Sequence, residues 1–201
     1  MSDAPEDLDI TDELIAERRN RAPGDLPDDM AGWMRRTVTW LDTLGLWSGR
    51  VFCWLLVPLM LAMVWEVVAR KLFVAPTMWA YDISRMLNGA LFMIGAGYAL
   101  MRGVHIRADF LYRNWPPRRQ AMVDAALYVA LFFPAMIFFL LISFGYAEKA
   151  WVRWELVMDT AFMAPVGPVR AAMPIGAALL ILQGISELLK CIYTMKYNRW
   201  P

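Results

Sequence analysis

The chain has 201 residues, 59% of them hydrophobic, with ten Trp and fifteen Met and a net charge of only +1. A water-soluble domain of this length rarely carries so much apolar surface, so an all-α integral membrane protein is expected. The two cysteines, Cys53 and Cys191, both fall in apolar stretches and read as small buried hydrophobes, not as a disulfide framework or a metal site.

The small net charge hides an asymmetry. Residues 1–30 hold ten acids against Arg18, Arg19 and Arg21, and the remainder carries seventeen bases against nine acids. A basic membrane portion suits anionic phospholipid headgroups. Nucleic acid is the weaker partner, because the bases flank apolar spans instead of forming one stripe. Residues 1–32, with Pro23, Gly24, Pro27 and Gly32 breaking any periodicity, read as an acidic flexible cytoplasmic tail. It lacks the basic start, short apolar run and cleavage site of a secretory signal, so the first hydrophobic helix is expected to stay in the mature protein.

Residues 33–201 read as a four-helix membrane domain. Trp33, Val38, Trp40, Leu41, Leu44 and Trp47, set among Arg35, Arg36 and Asp42, fit an amphipathic helix at the interface, the depth that Trp prefers. Spans follow at about 47–68, 83–101, 125–146 and 173–193, each near the roughly 20 residues that cross a bilayer core of about 30 Å. Pro58 predicts a kink in the first. Glu187 and Lys190, in the last third of the fourth, are expected near headgroups or against a protein partner. Between the third and fourth, Ala147, Trp151, Trp154, Met158 and Phe162 recur at helical spacing and predict an amphipathic helix or a tilted extension of the third span.

With the N-terminus inside, the inner loops receive eleven Lys and Arg and the outer loops six, which places both termini in the cytoplasm. Arg102, Arg107, Arg113, Arg118 and Arg119, around Trp115-Pro116-Pro117, form a basic inner loop suited to lipid phosphates.

Few residues offer chemistry. Glu66 lies near the end of the first span with Arg70 four residues on, a spacing that favours an ion pair across one turn. Asp82 and Arg85 repeat the pattern at the start of the second span. His105, the only histidine, has Asp109 at i+4 to hold its imidazole, with Arg107 between them. One histidine excludes bis-histidine haem and multi-histidine zinc sites. Gly89, Gly95 and Gly97 in the second span and Gly176 and Gly184 in the fourth allow close helix packing, on one another or on a partner. The sequence has no phosphate loop, nucleophile elbow or catalytic carboxylate pair, so neither an enzyme nor a cofactor is expected.

An ordered series of segments resembles the small membrane subunit of the tripartite ATP-independent periplasmic (TRAP) transporters. It runs from Glu66-Val67-Val68-Ala69-Arg70-Lys71-Leu72-Phe73 through Pro76-Thr77-Met78-Trp79 with Asp82, and Gly95-Ala96-Gly97-Tyr98-Ala99-Leu100. His105-Ile106-Arg107-Ala108-Asp109, Pro116-Pro117-Arg118-Arg119, and Met173-Pro174-Ile175-Gly176 with Gln183 complete it. The resemblance implies four helices in a bacterial or archaeal inner membrane, a large permease subunit and a periplasmic substrate-binding protein as partners. It also implies organic acid uptake in which the small chain anchors and orients the large one. On that reading the Gly and Ala faces of the second and fourth spans dock on the large subunit. Two other readings remain open: a self-contained proton-coupled exporter dimer using Glu66, and the membrane anchor of a redox complex with His105 and a methionine on haem.

Overall fold

The computed structural model describes residues 26–27, 29–102, 115–158 and 160–198. These form helices α1 (Gly32–Cys53), α2 (Leu56–Leu72), α3 (Met78–Met101), α4 (Pro117–Leu127), α5 (Phe133–Val152) and α6 (Gly167–Tyr197). A π-helical turn, Tyr128–Phe132, joins α4 to α5. Among the described residues there is no strand, only an isolated antiparallel bridge between Leu156 and Pro165.

Prolines set the interruptions. Pro58 has no N–H for the Trp54 carbonyl four residues back, and its ring crowds that carbonyl. The Trp54 carbonyl instead accepts the Val57 amide at 3.1 Å, and the chain turns at Trp54 and Leu55 between α1 and α2. The kink expected from Pro58 therefore sits one turn before it. Pro134 has a similar neighbour, since the π-helical turn ends two residues ahead of it and absorbs the missing donor by a local change of pitch.

The segment between the third and fourth spans departs from its periodicity. α5 extends past residue 146 as the tilted-extension reading expects, but it stops at Val152, and the helical pattern through Trp154, Met158 and Phe162 is not realised as helix. Trp154 takes a left-handed φ of 48°, and the Glu155 amide reaches back to the Ala150 carbonyl at 3.1 Å, a Schellman-type stop. The chain then doubles back, with the Val157 amide on the Ala164 carbonyl at 2.9 Å and the Val166 amide on the Glu155 carbonyl at 3.0 Å. Pro165 supplies no donor for a helix here, Pro168 sits in the first turn of α6 where none is needed, and an ion pair between Glu155 and Arg170 ties the two ends of the hairpin together.

Among the described residues, three helical stretches are long and apolar enough to cross a membrane: Gly32–Leu72, Pro117–Val152 and Gly167–Tyr197. α3 covers the expected second span but is not among them, because Asp82, Arg85, Asn88 and three glycines dilute its apolar residues. α6 is the centre of the bundle and packs on α1, α3, α4 and α5.

Close approaches fix how the helices run. A Cβ on Gly97 would meet Leu179, and one on Gly176 would stand 2.5 Å from the Met93 carbonyl oxygen, so α3 and α6 run parallel with backbones in contact. Gly45 faces Met101 and Gly49 faces Tyr98, so α1 runs antiparallel to α3. Gly184 receives the Phe132 ring from the π-helical turn. Gly97 and Gly176 therefore serve a contact inside the chain, whereas Gly89 and Gly95 have nothing within 4 Å of where a Cβ would stand. Gly176→Ala should lower the thermal stability of the isolated chain in detergent by about 1 to 3 kcal/mol, since Met93 backbone must move to admit the methyl. Gly95→Ala should be neutral or slightly stabilising by the same measurement.

Candidate functional site

The most connected polar site joins α1 to α6. Five residues of α1, Val38, Leu41, Asp42, Gly45 and Leu46, are buried at the i, i+3, i+4, i+7, i+8 spacing of one helix face. That stripe lies against α6, where Gln183, Ser186, Glu187 and Lys190 follow the same periodicity. Asp42 Oδ1 accepts hydrogen bonds from Gln183 Nε2 at 2.9 Å and Ser186 Oγ at 2.7 Å. Asp42 Oδ2 pairs with Lys190 Nζ at 2.9 Å, and the same ammonium reaches Glu187 Oε1 at 2.9 Å. Gly45 makes room for this arrangement, because a Cβ there would stand 2.9 Å from Gln183 Oε1. Lys190 thus finds its partners within the chain itself, in Asp42 and Glu187.

Sequence reasoning placed Asp42 only on an amphipathic face and assigned it no role. The usable signal was an acid at the i+4 position of an otherwise apolar stripe, matched by a polar stripe at 183, 186, 187 and 190.

A second cluster closes the turn between α2 and α3. Glu66 Oε1 accepts from Arg70 Nη2 at 2.5 Å and Nε at 3.2 Å, the ion pair expected from the spacing. Glu66 Oε2 accepts the Thr77 amide at 3.0 Å and also the Thr77 hydroxyl, so the carboxylate ties the end of α2 to the first residue ahead of α3. Both oxygens are occupied.

The third cluster lies at the same end. Asp82 is fully buried; its Oδ2 accepts the Thr160 hydroxyl, and its Oδ1 has no hydrogen-bond partner. Arg85 Nη2 stands 3.9 Å from Oδ1, so the expected i,i+3 pair is present but loose. The Arg85 guanidinium also lies 5.8 Å from the Tyr81 ring centroid. Nearby in sequence, the Arg170 that pairs with Glu155 stacks 3.9 Å over the Tyr146 ring.

Arg102 Nε donates to the Tyr98 hydroxyl at 3.1 Å. Pro174 and Gly176 are buried in α6. His105 and Asp109, expected to form an interfacial hydrogen bond, lie outside the described residues, as do Arg107 and Arg113 of the expected basic loop and most of the acidic tail. Among the described residues no cluster of three or more His, Cys, Asp or Glu is arranged to hold a metal ion. Chemically, these sites fasten helices to each other: one joins α1 to α6, and two lie at the start of α3.

The Asp42 junction is a buried pair in which removing one partner strands the other. Asp42→Leu should destabilise the chain by roughly 3 kcal/mol in a denaturation series in mild detergent, and Asp42→Asn by less, since its carbonyl still accepts from Gln183 and Ser186. A double-mutant cycle of Asp42→Asn with Lys190→Met should return a coupling of about 1 kcal/mol or more.

Residues 59–194 match the family model of the tripartite ATP-independent periplasmic transporters, DctQ component, a match that takes in α2 to α6 apart from their outer ends. No curated protein matches the chain. The family is a component of a transporter and not a family of enzymes, and the three long apolar helices mark an integral membrane protein. By that match, the chain belongs to the DctQ family, the small membrane component of the tripartite ATP-independent periplasmic transporters.

Proposed function

We propose that this chain anchors and orients a larger permease subunit, and that the pair imports an organic acid delivered by a periplasmic binding protein, by symport. The observation that carries this reading is where its ionisable groups point. Asp42 and Glu187 both bind Lys190, and Glu66 is held by Arg70 and Thr77, so each helps to fix a helix in place. A carrier needs a part that moves against a part held still, and interlocked helices suit the second role.

The stand-alone proton exporter needs Glu66 free to take up and release a proton. Hydrogen bonds to both of its oxygens and the neighbouring guanidinium argue for a structural part instead. The redox-anchor alternative rests on His105, and no contact of the described residues favours it.

In this reading α3 crosses the membrane as well, giving four spans with both termini in the cytoplasm. The antiparallel run of α1 and α3 and the parallel run of α3 and α6 support it, because parallel neighbours joined through α4 and α5 require a return crossing between them. Residues 1–32 are then a cytoplasmic tail, and Arg102, Arg107, Arg118 and Arg119 meet lipid phosphates on the inner face.

Two experiments test the proposal. A reporter that fluoresces only in the cytoplasm should light up when fused to either terminus; light from one end alone means an odd number of spans. Co-expression with the large permease of the same transporter should yield a stable complex, with uptake by reconstituted vesicles only when both membrane chains and the binding protein are present. Glu66→Gln should keep most of that uptake. Transport by this chain alone, abolished by Glu66→Gln, would establish the exporter instead.

A further inference from the structure

Helix α3 has two faces of opposite character. One is covered by α1, α2 and α6. On the other, Met78, Tyr81, Arg85, Asn88 and Phe92 are all exposed at steps of three, four, three and four residues, which line one side of a helix. Gly95 continues that line, with open space where a Cβ would stand.

The contrast with α5 is chemical. Its outward residues at mid-helix, among them Ile137, Phe138, Leu141 and Phe144, are apolar and suit lipid tails. α3 instead presents a carboxamide, Asn88, about 15 Å from the start of a helix about 36 Å long, close to the middle of a bilayer core. Lipid tails offer neither donors nor acceptors, so an amide turned outward at that depth is stable only against protein. The gap beside Gly95 lets another backbone come close at the next turn.

We infer that this face of α3 is the seat of one transmembrane helix of the large permease subunit, a helix with a hydrogen-bonding side chain level with Asn88 and a bulky side chain over Gly95. The inference rests on the proposed companion role and names the surface that role uses. A second copy of this chain is the poorer occupant. Copies inserted in the same orientation pair about a two-fold axis along the membrane normal, which sets each residue of the stripe near its own counterpart. Arg85 would then face Arg85, and the two like charges would repel.

The test uses the full chain co-expressed with its large permease in native membranes. A photo-reactive phenylalanine analogue replaces, one at a time, Asn88 and Phe92 on α3, and Phe138 and Leu141 on α5. Crosslinks to the large subunit are expected from 88 and 92 and not from 138 or 141. Asn88→Leu should lower the amount of permease recovered with the tagged chain about three- to tenfold, the range of one interhelical hydrogen bond. Crosslinks from 138 or 141 alone, homodimer products from 88, or an intact complex with no protein crosslink from 88 and 92 each overturn the inference while leaving the companion role standing. If the unmodified chain recovers no large permease, the companion role fails and the docking surface with it.

Discussion

Everything else in the bundle depends on how closely α3 and α6 approach. Inside a bilayer, burying apolar side chains between helices gains little, since lipid tails are equally apolar, and association relies on packing and on hydrogen bonds. Gly176 against the Met93 carbonyl and Gly97 against Leu179 supply the packing over one turn of each helix. Once those backbones touch, side chains further along α6 are set at fixed positions. One turn beyond Leu179, Gln183 reaches α1, and Gly184 accepts the ring of Phe132 from the stretch joining α4 to α5.

The Asp42 junction works only in that frame. Its three α6 partners lie on consecutive turns of one rigid element, so a carboxylate entering from α1 meets two neutral donors and an ammonium without rearrangement. The large desolvation cost of a buried charge is offset here by filling both oxygens, which makes the junction more valuable for fixing the placement of α1 than for adding net stability. A polar lock of this kind defines one register, because sliding α1 by a residue turns Asp42 away from α6 and brings Leu41 or Thr43 in its place.

Much of this was legible in the sequence, and what was not has identifiable causes. Local pairs read true: Glu66 with Arg70 is an i,i+4 spacing that needs no tertiary knowledge. The helices at three of the four expected spans are apolar enough to be recognised by composition alone. The Asp42 contact was hidden because its partners lie 141 and 144 residues away, and no periodicity links one element to another over such a distance. The region after residue 152 misled for the opposite reason. Its apolar spacing fits a helix, but Pro165 and the Glu155–Arg170 ion pair favour a hairpin, and spacing carries no information about either. Of the small residues in the second and fourth spans, Gly97, Gly176 and Gly184 make contacts within the chain, while Gly89 and Gly95 make none. Which contacts were internal needed the geometry, for Gly95 and Gly97 differ by two positions and face opposite ways.

α3 is the helix where these constraints converge. Its start is tied by Glu66 to Thr77 and by Asp82 to Thr160, its middle is held by Gly97 and Met93 against α6, and its end is packed against α1 through Tyr98 and Met101. α5, by contrast, packs chiefly on α6 and turns the rest of its surface outward as plain hydrocarbon. A subunit that must hold a moving partner at a fixed depth and angle gains most by presenting its recognition groups on its most restrained element, because play in the support becomes play in the partner. The polar residues that leave α3 short of the apolar content of the three long stretches are then the reason it is braced at both ends: a helix with fewer groups suited to lipid stays in place through its protein neighbours.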